Sequence, residues 1–281
     1  MTSPHALMAA WRLFPSKRLG QNFLIHPAMP QTIVARAGLA PTDQVLEIGA
    51  GLGALTVAAA SACAAVLAIE KDERLLPLLR AELLAAGMTN VTVLAQDIMQ
   101  TDIAQLATHA GRRLVVMGNL PYNISSQIIV RLIMARAHID RAILMLQKEF
   151  AQRISAGPGS RQYGRLSVML GYCARVETLL SVHAAQFYPK PKIDSEVIAI
   201  TFHRRPPHPA DDESFLFAVI KAAFGQRRKT MKNALSGSEL RLAPDRAVHA
   251  LTTTGIDPVR RAETLTAAEF VALANILRRT G

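Results

Sequence analysis

Three observations predict a doubly wound α/β domain followed by a smaller all-helical domain. Short apolar runs alternate with amphipathic stretches, glycines cluster after the first strong run, and strand-like alternation stops beyond a proline-rich segment. That segment, Arg204 to Pro209, holds three prolines and marks the boundary. The chain thus divides into a poorly ordered extension (1–16), an α/β domain (17–203) and a helical domain (204–281).

In order, Met1 to Ser16 lacks a clear period and contains two prolines, hence the expectation of disorder. Lys17 to Leu24 is a basic turn, and Pro27 to Gly38 a short helix closed by glycine. Gln44 to Ile48 is a buried strand that feeds Gly49, Gly51 and Gly53. Glycines at alternate positions let the backbone approach a ligand and turn into a helix near Ala54. Ala65 to Ile69 is the second strand, and Glu70 stands 21 residues after Gly49, where a carboxylate accepts both hydrogen bonds of a ribose diol. The glycines alone also satisfy the dinucleotide fingerprint, so a nicotinamide-dependent oxidoreductase stays open here.

Asp72 to Ala86 reads as a helix and Val91 to Ala95 as the third strand. Asp97 beyond it suits either an adenine amino group or a turn cap. Leu114 to Met117 is the fourth strand, Ser125 to Ala135 a helix, and Arg141 to Leu146 the fifth strand. Between strand and helix lies Asn119-Leu120-Pro121-Tyr122-Asn123-Ile124-Ser125. Pro121 lacks a donor and biases Leu120 towards an extended conformation, leaving carbonyls of Leu120 or Pro121 as acceptors beside the Asn119 amide. Two acceptors suit an amino group with two hydrogens, and Tyr122 offers a stacking face; the plainer alternative is a capped strand-to-helix turn.

Arg161 and Arg165 flank Tyr163, a pattern that suits RNA or a flexible surface loop. Ala174 to Val182 and Glu196 to Phe202 read as a closing strand pair. Phe187, in the stiff segment between them, either covers the second face of a base or plugs the core. Gln226 to Lys232, with Arg227, Arg228, Lys229 and Lys232, concentrates cations on little more than one helical turn and reads as a phosphate contact.

With 32 Lys plus Arg against 21 acids, the net charge of +11 points to a polyanionic partner, nucleic acid first. Two cysteines without a partner at metal-like spacing suit a reducing cytosol, and the eight scattered histidines suggest no metal site. Ile48 to Ile69 is uncharged over 22 residues, but its glycines and alanines fit loop, helix and strand better than a membrane span. No acid precedes Asp43, which reads as an RNA-facing arm or a short transit sequence.

These segments resemble the ribosomal RNA small-subunit adenine dimethyltransferase family, the KsgA-like enzymes. The resemblance rests on Gly20-Gln21-Asn22-Phe23-Leu24, Glu47 to Gly53, Asn119 to Ser125, Tyr163 to Ser167, Phe187 to Ser195 and Arg227 to Leu235, in the family's order. It implies a Rossmann-like S-adenosylmethionine-dependent methyltransferase domain. Asn22, Leu24, Gly49 and Gly51 would line the cofactor, with Glu70 on its ribose, Asp97 on its adenine and Asn119 between cofactor and substrate. It also implies dimethylation of two neighbouring adenosines near the 3′ end of small-subunit rRNA. The partner would be the small ribosomal subunit, and the protein a cytoplasmic monomer. The extension before Lys17 is longer than the family usually carries, and Phe150 and Gly171 depart from its usual residues. A non-catalytic assembly or transcription factor and a resistance-type methyltransferase of large-subunit rRNA share parts of this pattern.

Overall fold

The computed structural model describes residues 2–226 and 228–279. In chain order its elements begin with α1 (Pro4–Ala10), β1 (Phe23–Leu24), α2 (Ala28–Ala37), β2 (Gln44–Ile48), α3 (Ala54–Ala60) and β3 (Ala65–Glu70). Next come α4 (Leu76–Ala85), β4 (Val91–Ala95), α5 (Ile103–Ala110), β5 (Leu114–Asn119), α6 (Ser125–Met134), β6 (Ile139–Gln147), α7 (Lys148–Ser155) and α8 (Arg165–Cys173). The last are β7 (Ala174–Val182), β8 (Phe187–Tyr188), β9 (Ser195–Phe202), α9 (Glu213–Phe224), α10 (Met231–Ser236), α11 (Pro244–Thr253) and α12 (Ala267–Arg279).

A seven-stranded sheet runs β4-β3-β2-β5-β6-β9-β7. The pairs from β4 through β6 are parallel, and β9 joins β6 antiparallel. Four of the five residues of β2 and five of the six of β5 are buried. Strands covered on both faces read as continuous apolar runs, which is why the sequence located them. Strand order reverses between β2 and β5, so their carboxyl ends part there and leave a crevice for a ligand. The uncharged stretch from Ile48 to Ile69 resolves into a loop, α3 and β3. Among the described residues no helix is long and apolar enough to cross a membrane.

The extension is not disordered. Ser3 caps α1 through its hydroxyl, and Pro4 sits in the first turn, where a missing N–H costs nothing. Leu7 and Met8 then bury against Phe23, Leu52, Leu75 and Leu78. One of the two prolines that suggested disorder, Pro4, therefore starts a helix.

Packing divides the chain into two compact units, Met1–Ala151 with Val176–Phe202, and Gln152–Arg175 with His203–Gly281. The boundary expected at 203/204 therefore misses one segment. Gln152–Arg175 belongs with the C-terminal helices, where the Tyr172 hydroxyl donates to Glu213 Oε1 at 2.7 Å and its ring meets Phe217 edge-on at 6.0 Å. The second unit's core includes Phe270 stacked on Phe224 at 6.0 Å, with Leu216, Leu235 and Leu273 fully buried. The redrawn division also sorts charge. By sequence the second unit carries 17 Lys plus Arg against 8 acids, and the first 15 against 13.

Candidate active site

A cavity of about 530 Å³ opens at the carboxyl ends of β2, β3 and β5. Its floor is the loop after β2. Gly51 adopts φ +57°, a left-handed conformation that favours glycine, and its N–H donates to Glu70 Oε2 at 2.8 Å. The other oxygen of Glu70 accepts from Asp72 N at 2.7 Å. Burial pushes the Glu70 carboxyl up, against the pull of these N–H groups. The carboxylate thus braces the glycine loop and keeps lone pairs to spare for a diol.

Close approach of β2 and β5 depends on Gly118, one residue before Asn119. A Cβ there would lie 2.6 Å from the Ile48 carbonyl oxygen. Asn119 ends β5, and its Nδ2 donates to the Asn22 carbonyl at 2.8 Å. That bond fixes which end of the amide is oxygen and leaves Oδ1 as an acceptor. The Pro121 carbonyl is taken by the Ser125 hydroxyl at 2.8 Å and by Ile124 N at 3.3 Å. Among the described residues no donor reaches the Leu120 carbonyl, so of the two carbonyls the sequence offered, Leu120 supplies the free acceptor.

The segment Gly20 to Leu24 ties the corners together. Gln21 Nε2 donates to Asp72 Oδ2 at 2.8 Å, Asn22 receives Asn119, and β1 pairs with β8. On the opposite wall, Asp97 Oδ2 meets Lys71 Nζ at 2.6 Å and its Oδ1 accepts from Met99 N at 2.9 Å. Burial raises the Asp97 carboxyl, but the Lys71 ammonium and that N–H together hold it below its usual range.

Beneath the loop, Glu47 is 2% exposed, and among the described residues no donor reaches its Oε2. Burial pushes its pKa up to about 7; the Thr56 hydroxyl pulls it back and the Glu70 charge adds to the rise. A carboxyl raised in this way contributes stability that is fully present below its unfolded value near 4.5 and is lost as pH climbs through about 7. The loss amounts to about 3 kcal/mol at roughly 1.4 kcal/mol per unit. Glu47→Gln is therefore expected to melt several degrees above the wild type at pH 8 and to flatten that pH dependence. Melting curves from pH 4 to 8 check this, and an unchanged or lower midpoint at pH 8 rejects it.

The model of the ribosomal RNA adenine dimethylase family matches residues 15–279. The chain belongs to the ribosomal RNA adenine dimethylase family. A ribosomal RNA small subunit methyltransferase A from Desulforapulum autotrophicum is 46% identical over 277 residues, covering 99% of this chain and 97% of that one. The protein of that name from Magnetococcus marinus is 44% identical over 263 residues, covering 94% and 92%. A dimethyladenosine transferase crystal structure from Plasmodium falciparum superposes with a TM-score of 0.76 at 25% identity, covering 89% of this chain and 95% of that one. The 23S rRNA methyltransferase ErmE shares the fold, with a TM-score of 0.68 at 24% identity over 91% and 99%.

As a member of the adenine dimethylase family, the chain is an rRNA adenine dimethyltransferase using a methyl donor, which closes the oxidoreductase reading. Asn22, Leu24, Gly49, Gly51, Glu70, Asp97, Asn119 and Pro121 all line the one cavity. Leu120 as a whole residue is buried at 1% exposure and does not line the cavity. Tyr122 is half-buried, with its hydroxyl 3.4 Å from Ser195 Oγ, and its ring does not line the cavity. Phe187, offered as base cover or core plug, is a plug here. It is 3% exposed and packs in the core cluster with Leu24 and Val197. Phe187→Ala is accordingly expected to cost about 3–5 kcal/mol of stability, as for other buried Phe deletions. Unchanged melting with lost turnover would restore the stacking role.

The other expected RNA contacts lie in the second unit. Tyr163 is buried, 6.3 Å from the Phe224 ring, and is no stacking face. Arg161 is exposed, as is Arg165 at the start of α8. Arg228 and Lys229 are exposed on the turn between α9 and α10, and Lys232 is exposed in α10. The cations thus straddle a turn rather than one helix; Arg227 lies outside the described residues. Among the described residues no cluster of three metal-ligating side chains occurs. Sequence reasoning missed Glu47, Lys71 and Gly118. An acid and a glycine inside apolar strands were the available signals.

Proposed function

We propose that this enzyme uses S-adenosylmethionine to dimethylate the exocyclic amines of two adjacent adenosines near the 3′ end of small-subunit rRNA, during ribosome assembly in the cytoplasm. The observation that carries the reading is the Asn119 amide, oriented by Asn22 at the point where strand order reverses, beside a Leu120 carbonyl that no donor reaches among the described residues. The relatives' names supply the small subunit as substrate.

The cavity fits the cofactor by its chemistry. Asn22, Leu24, Gly49, Gly51, Glu70 and Asp97 line it, and Glu70 would meet the ribose and Asp97 the adenine amine. A cation bound here would favour the charged forms of Glu47 and Glu70, which burial disfavours. When bound, S-adenosylmethionine would supply a methyl group for attack by an amine nitrogen, the S–CH3 bond breaking as N–CH3 forms and the neutral thioether leaving.

The chain's own task is to prepare that nitrogen. An adenine amine is a poor nucleophile because its lone pair is shared with the ring. Asn119 Oδ1 and the Leu120 carbonyl accept its two hydrogens and favour a pyramidal nitrogen, while Tyr122 stacks on the base. The proton departs from an already cationic amine, so no strong base is required, and positioning supplies much of the rate. A singly methylated amine retains one hydrogen and needs one of the two acceptors. Phosphates of the substrate meet Arg161, Arg165, Arg228, Lys229 and Lys232, and we extend this role to Arg227.

The test is methyl transfer from labelled S-adenosylmethionine to small and large subunits purified from cells lacking the enzyme, followed by nucleoside analysis. Dimethyladenosine confined to small-subunit RNA is expected. Label in the large subunit would assign the resistance-type activity, and cofactor binding without transfer would favour a pure assembly role.

A further inference from the structure

The N-terminal extension ends in a surface that the cavity chemistry does not use. After α1, the N–H of Arg12 bonds Ala9 O at 3.1 Å and that of Leu13 bonds Met8 O at 2.9 Å, with Arg12 at φ +54°. This turn sends Leu13 inward against the cluster of Leu7, Met8 and Phe23. Its neighbours face out. Trp11 is 49% exposed and Phe14 78%, and Arg12, Lys17 and Arg18 are exposed beside them.

Single exposed apolar side chains are ordinary on protein surfaces. Here two aromatic rings fall within four residues, three cations accompany them, and no acid precedes Asp43. The strip also runs into the Asn119–Ser125 loop. Asn123 Nδ2 donates to the Arg18 carbonyl at 3.3 Å, a Cβ on Gly20 would lie 3.4 Å from Pro121 Cβ, and Arg18 lines the cavity.

We propose that Trp11, Arg12, Phe14, Lys17 and Arg18 form a stacking platform for unpaired RNA flanking the target adenosine. The rings take base faces and the cations follow the phosphates, a combination that tolerates sequence because every base has a π-face. The platform rests on the rRNA methyltransferase reading above and deepens it. It leads a single strand to the loop that holds the reacting amine.

Trp11 is the only tryptophan, so its emission reports this strip alone. The full chain is titrated with a ten-nucleotide oligoadenylate, reading tryptophan emission and, in parallel, the anisotropy of the same RNA carrying a fluorophore. Quenching that saturates together with the anisotropy is expected. Phe14→Ala is expected to weaken binding about tenfold, the scale of one lost base stack. Its melting temperature and cofactor affinity should match the wild type. RNA binding with unaltered tryptophan emission and unweakened binding by Phe14→Ala would overturn the platform. Methyl transfer to small subunits is measured on the same preparations. Its persistence alongside a silent tryptophan removes the platform alone, whereas its absence removes the underlying reading.

Discussion

Asn119→Ala is expected to lower turnover by about 10²-fold or more, the scale seen when one preorganised polar group is removed from a transition state. Two losses combine. The variant surrenders the Oδ1 acceptor, and it also frees the Asn22 carbonyl that Nδ2 engages at 2.8 Å. Asn119→Asp separates them, because it keeps an acceptor but sets an oxygen against the Asn22 carbonyl. It too is expected to be impaired, with weakened cofactor affinity. RNA affinity should survive in both variants, since the loop's phosphate-facing surroundings are untouched. Single-turnover rates with separate binding measurements decide the matter, and turnover equal to wild type in Asn119→Ala would remove the residue from the chemistry.

Gly118→Ala is expected to do comparable damage by another route. Its Cβ would meet the Ile48 carbonyl oxygen at 2.6 Å, Leu120 Cδ2 at 3.2 Å and Ile48 Cβ at 3.3 Å. The first of these is backbone at the last register of the parallel pair, Ile48 against Gly118, and cannot rotate away. Relief requires β2 and β5 to part where the cavity floor begins. We expect a loss of about 1–3 kcal/mol in stability, in the range of overpacked cores, together with loss of cofactor binding. Gly157→Ala, which meets nothing within 4 Å, is the control and should melt with the wild type. Wild-type affinity and melting in Gly118→Ala would mean the strands yield more cheaply than their packing indicates.

The central strands β2 and β5 were legible because they are covered on both faces, and the edge strand β4 because its residues are β-branched or apolar. Gln44 to Ile48 and Val91 to Ala95 were bounded to the residue, and Leu114 to Met117 fell short only by Gly118 and Asn119. The helices α5, α7 and α8 were not read. Lys148–Ser155 follows Gln147 with no proline or glycine to announce a new element, and its polar composition resembles a loop. Gln152–Arg175 could not be assigned to its unit from local pattern, since contacts with distant residues such as Glu213 place it. Around the cavity, Gly49, Gly51, Glu70, Asp97 and Asn119 were read from their places after the strands, whereas Asn22 and Leu24 came only from the family resemblance. Glu47 and Gly118 act through burial and backbone clearance, which only packed neighbours reveal. Phe187 shows the converse: an aromatic in a stiff loop suits exposure and burial alike until its partners are known.

The discontinuous second unit has a consequence for synthesis. A chain made from its N-terminus produces Gln152–Arg175 before the remainder of that unit, His203–Gly281, exists. At roughly 5–20 residues per second, this early segment waits several seconds for its partners. Truncation at the proline-rich boundary would make the wait permanent and leave Val168, Leu170 and Tyr172 without the C-terminal part of their core. The nascent protein therefore cannot complete its second unit until His203–Gly281 has been made.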